Sequence, residues 1–171
     1  MAIAVGARPV LAPGWSGGPH ADIALIDCDV HQNVQKLDDL IPYMSRVYRQ
    51  QAEEQGIRFP GSGYFNVPQD AARTDLATEC DAPKAAFKTH GTRYEAFREQ
   101  HLDMWNVDKV LLTGSSVYGA SILPDPDFAA ALCRAFNDWT IDQWLDKDDR
   151  DRLMMALSVP ANDPRLSIAE I

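Results

Sequence analysis

Short apolar runs alternate with stretches of helical periodicity along this chain. Residues 23–30 open with Ile23, Ala24, Leu25 and Ile26 and read as a buried strand. Residues 107–113, through Val110, Leu111 and Leu112, read as a second strand, and residues 152–159, through Leu153, Met154 and Met155, as a third. Between the first two, Tyr94, Phe97, His101, Leu102 and Trp105 recur on one side of a helix spanning 92–105, with Asn106 suited to its end. Asp125-Pro126 opens a further helix, an acid before proline at the first position, and Phe128, Leu132, Phe136 and Trp139 form its apolar stripe. Pro160 to Pro164 ends the third strand and starts another helix. Strand and helix in strict alternation predict right-handed βαβ units and a parallel sheet, hence an α/β fold.

Two stretches stand outside this alternation. Residues 1–22 are rich in glycine and proline and read as an N-terminal arm. Residues 32–92 form a long insertion after the first strand, and an insertion of that length is usually functional or flexible. Asp38, Asp39 and Pro42 are placed to open a helix through Tyr43, Val47 and Gln51 to Gly56, while Pro60-Gly61-Ser62-Gly63 marks a loop. The expected organisation is an arm over 1–22 and one domain over 23–171, with the insertion at 32–92.

The first strand ends in chemistry: Asp27-Cys28-Asp29-Val30-His31. Side chains alternate along a strand, so Asp27, Asp29 and His31 are expected on one face. Asp29 and His31 form a candidate metal-ligand pair, a carboxylate and an imidazole where a parallel strand ends and active sites gather. Asp27 lies one layer deeper, where a carboxylate accepting hydrogen bonds within the fold is the better reading.

These residues resemble the first-strand motif of the metal-dependent amidohydrolase superfamily, an apolar strand followed by Asp-x-His-x-His. The closer resemblance is to the amidohydrolase-related branch that includes aminocarboxymuconate-semialdehyde decarboxylase. Asp29 stands at the first ligand histidine, His31 at the second and Asp27 at the acid two residues upstream. Asn106-Val107-Asp108, Asn137-Asp138-Trp139 and Val159-Pro160 followed by Asp163-Pro164 resemble later segments of that branch, in order. The resemblance covers residues 23–171. It implies an incomplete (β/α)8 barrel with its first three βα units present, since a whole barrel takes about 250 residues. It also implies a divalent metal, zinc first and manganese or magnesium as alternatives, because an oxygen ligand at Asp29 widens the choice. The implied reaction is metal-dependent hydrolysis, or non-oxidative decarboxylation (a lyase reaction), of a small organic substrate. The catalytic residues and remaining ligands are expected on later strands, so the 171-residue chain is expected to be an N-terminal piece with little activity alone.

Composition narrows the partners. A net charge of -9 argues against nucleic acid and anionic membranes, which call for a basic face. Met1 to Pro13 is interrupted by Arg8 and Pro9 and is too short for a signal peptide or membrane span, so a cytoplasmic protein is expected. Cys28, Cys80 and Cys133 are too few and too scattered for a disulfide framework and read as buried thiols. A small-molecule substrate is the expected partner, with homo-oligomer formation left open. Among other polar residues, His101 reads as an interface histidine. His90 stands before Gly91 in the insertion, where contact with a substrate is the lesser reading, and His20 is the remaining imidazole. Arg46, Arg49, Arg58 and Arg73 read as surface, and the charge run from Asp146 to Arg152 as a solvated loop. Ser115, Ser116 and Tyr118 are candidate pocket lining after the second strand.

Two other readings compete. A haloacid-dehalogenase-like phosphatase would use Asp27 as nucleophile and Asp29 as acid/base, with Leu111-Leu112-Thr113 as its second motif. His31 and Val30 depart from that pattern. A non-catalytic fragment or binding module would keep the βαβ units as structure alone.

Overall fold

The computed structural model describes residues 24–34, 36–57, 93–114 and 117–171. The arm at 1–22, His20, Arg58, the Pro60-Gly61-Ser62-Gly63 loop, Arg73, Cys80, His90, Ser115 and Ser116 lie outside the described residues. Strands β1 (Ile26–Val30), β2 (Lys109–Leu112) and β3 (Leu153–Met155) form one parallel sheet in the order β1-β2-β3. Order and direction are those predicted by the βαβ alternation.

β2 shows why one side of the sheet is closed. Its side chains alternate, with Val110 and Leu112 wholly buried and Lys109 and Leu111 half-buried. Leu153 continues the buried row on β3. Helices supply the opposite wall. α1 spans Arg46–Gln55, α2 spans Tyr94–Phe97 and runs on as a π-helical turn over Arg98–Asp103, and α3 spans Pro126–Thr140 with a π-helical continuation over Ile141–Leu145. Leu102, Leu132, Phe136 and Trp144 meet that buried row within one core. Burying each such side chain contributes about 1.5–3 kcal/mol before entropy is counted. The other side of the sheet is open. Ile26 is 56% exposed and Met154 46%, so the first strand, expected to be buried, has one bare face and one unpaired edge among the described residues.

Acid–proline pairs start the helices as the sequence suggests. Asp125 Oδ1 accepts from the amides of Asp127 and Phe128 at 3.0 and 3.1 Å. Asp163 does the same for Arg165 and Leu166 at 2.8 and 3.1 Å, opening α4 (Pro164–Glu170). Each satisfies two amides that the helix itself leaves unpaired. Asn137, buried on α3, donates through Nδ2 to Ser158 O at 3.0 Å and to Glu170 Oε1 at 2.9 Å, and its Oδ1 accepts from Ser158 N at 2.9 Å. It ties α3 to the chain leaving β3 and to α4.

Two further expectations change. The helix expected from Asp38 to Gly56 is divided into a 3-10 helix over Leu37–Tyr43 and α1. Pro42 lacks the amide that an α-helix interior needs, and Met44 and Ser45 are extended. Arg49, read as surface, braces this joint by donating from Nη2 to Pro42 O at 2.9 Å and Met44 O at 3.2 Å. The run 146–152 is not all solvated. Arg152 is 5% exposed and the Asp148 side chain 2%. Arg152 Nη1 pairs with Asp103 Oδ1 at 2.8 Å, and Nε lies 3.5 Å from Asp148 Oδ1. Asp148 also accepts from Tyr94 Oη at 3.0 Å and from the amides of Arg152 and Leu153. Arg152 and Asp148 turn inward to Asp103 and Tyr94 on α2 and its continuation, with Arg152 Nε and Nη2 left without hydrogen-bond partners.

Candidate metal centre

The site begins with a change of register in β1. Asp27 sits beside Val110, but Val30 sits beside Leu112, so three steps on β1 face two on β2. Such a bulge reverses the alternation across it. Asp27 therefore takes the side of buried Val110, and Val30 takes the side of buried Leu112. Between them Cys28 and Asp29 are both exposed. The expectation that Asp27, Asp29 and His31 share one face is thus corrected for Asp27. Its Oδ2 lies 2.9 Å from His101 Nε2 on the turn after α2, and its Oδ1 accepts from Asp29 N at 3.1 Å. Phe97 stacks on the His101 ring with centroids 5.1 Å apart. Asp27 keeps the hydrogen-bonding role expected of it, and His101 is the partnered interface histidine.

Asp29, within the bulge, and His31, just past it, are brought together. Asp29 Oδ1 and His31 Nε2 are 3.1 Å apart at the C-terminal end of β1, with side chains 83% and 48% exposed. Tyr118 presents its ring edge-on to His31 with centroids 6.2 Å apart, which places this pocket-lining candidate beside the pair. Zinc holds an oxygen and a nitrogen ligand at about 2.0–2.2 Å each, which at a tetrahedral angle separates the two donors by roughly 3.3 Å. The 3.1 Å contact is that of an ion pair or hydrogen bond; it also brings an oxygen and a nitrogen donor of types that suit a divalent ion close together. Among the described residues no group of three or more His, Cys, Asp and Glu gathers around one point.

The backbone around His31 is held from both flanks. Val30 O accepts from Thr113 N at 2.8 Å and Thr113 Oγ1 at 3.2 Å. Asn33 Nδ2 donates to His31 O at 3.1 Å. Gln32 is wholly buried, its Oε1 accepting from Gly114 N at 2.8 Å and its Nε2 donating to Thr140 Oγ1 at 3.3 Å. Sequence reasoning passed over Gln32. The signal was present, since Val30, Gln32 and Val34 continue a period of two toward the core while His31 points out.

An open cavity of about 490 Å³ runs along the outer edge of β1, lined by Leu25, Ile26, Asp27, Cys28, Asp29, His101 and Trp105. Cys28, expected to be buried, is exposed there. Cys133 is buried as expected, and burial, with the Glu170 carboxylate adding to it, pushes its thiol up to about 12.

No protein-family model matches this chain, and no curated protein matches it. No helix among the described residues is long and apolar enough to cross a membrane.

Proposed function

We propose that this chain carries part of the divalent-metal centre of an amidohydrolase-related hydrolase or non-oxidative decarboxylase, its three strands being the first three of a (β/α)8 barrel. The observation behind this reading is the pairing of Asp29 and His31 at the C-terminal end of a parallel strand, on the open face of the sheet. In a parallel barrel the open face becomes the interior, and its C-terminal rim is where substrate meets catalytic groups. Asp29 and His31 would hold the ion. Catalytic zinc takes three protein ligands, so at least one more comes from outside the described residues. The ion, when bound, acidifies water and polarises a substrate carbonyl or holds a substrate carboxylate.

The protein's own residues do the rest. His31 Nε2 faces the Asp29 carboxylate, and an ion would sit between the two donors. Tyr118, 58% exposed, stands beside His31 as a wall against which a small substrate can pack. Both Asp27 oxygens are already engaged, Oδ1 by the Asp29 amide and Oδ2 by His101 Nε2, which weighs against a phosphatase nucleophile there.

The test is zinc and manganese binding by equilibrium dialysis, followed by assay of the full-length protein on small amides and carboxylates for hydrolysis or carbon dioxide release. Asp29→Ala and His31→Ala should each weaken metal binding at least about tenfold and abolish turnover, with the fold retained. Full turnover after exhaustive chelation would refute the metal reading, and phosphate release with magnesium would favour the phosphatase.

A further inference from the structure

Pairing between β1 and β2 ends at Val30 and Thr113, yet His31 must keep one orientation one residue later. The main chain offers no further rung there. A side chain replaces it. Gln32 Oε1 takes the amide of Gly114, the residue after Thr113, as a strand carbonyl would. Gln32 Nε2 reaches Thr140 Oγ1 at the end of α3, so one buried amide joins the exits of two strands to a helix. Gly114 is adapted to this arrangement. Its φ is +63°, and a Cβ there would lie 2.7 Å from Phe136 Cε1. The glycine lets β2 turn tightly over Phe136 with its amide aimed at Gln32.

Alternation converts this anchor into control of the neighbouring residue. With Gln32 pinned inward at 0% exposure and Val34 inward at 6%, His31 between Val30 and Gln32 is forced outward, toward Asp29 and Tyr118. A buried polar side chain with both ends satisfied favours one arrangement, since any slip leaves a donor or acceptor unpaired at a cost of about 1–3 kcal/mol.

We propose that Gln32 is the positioning residue of the metal centre, fixing the outward orientation of His31 through its bridge to Gly114 and Thr140. This rests on the metal reading above for its consequence, though not for the positioning itself. Gln32→Leu removes both hydrogen bonds at nearly constant volume, and Thr140→Val removes one.

The experiment has two readouts on the full chain in solution. The first is broadening of the His31 ring proton resonances by titrated Mn2+, which reports affinity at that imidazole. The second, free of metal, is the nuclear Overhauser effect between the His31 and Tyr118 rings. Gln32→Leu should weaken Mn2+ affinity about tenfold and erase the ring–ring effect while circular dichroism keeps its native form. Thr140→Val should shift both in the same direction by less, and it decides the matter if Gln32→Leu does not fold. A lower melting temperature with affinity and ring–ring effect unchanged would overturn the proposal, leaving Gln32 a core residue only. If Asp29→Ala and His31→Ala leave Mn2+ binding by equilibrium dialysis untouched, the metal reading fails instead, and the ring–ring effect in Gln32→Leu still decides whether Gln32 positions His31.

Discussion

Asp27 Oδ2 and His101 Nε2 lie 2.9 Å apart and fasten the first strand to the helical turn packed beside it. Both side chains are about a third exposed, 32% and 33%, so the pair is a modest clamp between elements far apart in sequence. A double-mutant cycle on Asp27→Ala and His101→Ala, followed by urea denaturation, should give a coupling energy of about 1 kcal/mol. His101→Phe alone should leave Mn2+ binding at His31 unchanged, because His101 reaches Asp29 only through the Asp27 carboxylate, whose contact with the Asp29 amide does not require the imidazole. Loss of metal binding in that variant would place His101 in the centre itself.

Acid should loosen the contact between α2 and β3. Burial pushes the Asp148 carboxyl up, but amides from Arg152 and Leu153, the Tyr94 hydroxyl and the Arg152 charge together bring it below its usual value. The unfolded carboxyl titrates near about 3.9. The native carboxyl binds its proton at lower pH, so its stabilisation is complete above the unfolded value and is lost as pH falls through the folded one. Thermal melts from pH 5 downward should show stability declining below about pH 4. Asp148→Asn should be less stable at neutral pH and show a shallower decline. An unchanged slope would remove Asp148 as its source.

Thiol chemistry should divide Cys28 from Cys133. Cys133 is buried and its thiol is pushed up to about 12, whereas Cys28 lines the open cavity beside β1. Iodoacetamide at neutral pH, followed by peptide mapping, should label Cys28 readily and Cys133 only after denaturation. Native labelling of Cys133 would mean that α3 opens away from the core.

Gly114→Ala should be costly for two reasons. The backbone is left-handed, and the new methyl meets the Phe136 ring at 2.7 Å. A loss of about 1–3 kcal/mol in urea denaturation is expected. Where folded protein remains, weaker Mn2+ binding at His31 should accompany it, because the Gly114 amide holds Gln32. A neutral substitution would mean that this turn relaxes without strain.

Features that depend on local chemistry were legible in the sequence. Asp125-Pro126 and Asp163-Pro164 mark helix starts wherever they occur, since the cap and the proline act within one turn. The parallel order of the strands follows from what lies between them. Asp29 and His31 were recognisable as a pair because the two-residue spacing survives the bulge. What stayed hidden depends on distant partners. No local pattern announces that β1 gains a residue against β2, so Asp27 was assigned to the wrong side. Nor does a run of charges reveal that Asp148 and Arg152 turn inward. Their burial follows from Asp103 and Tyr94, some 50 residues earlier, by separations of 49 and 54 positions.

The extra residue in β1 makes the site a matter of counting as much as of chemistry. Removing Cys28 alone would keep the Asp, Asp and His and yet restore an unbroken alternation through residue 27 and its successors. Val30 would still meet Leu112, so the imidazole would stay outward beside Asp29 and Gln32 would stay in the core. The strand therefore encodes the position of its chemistry by length: the bulge takes up one residue, and the same sequence paired without it would put His31 on the face of Asp27 and Gln32 toward solvent.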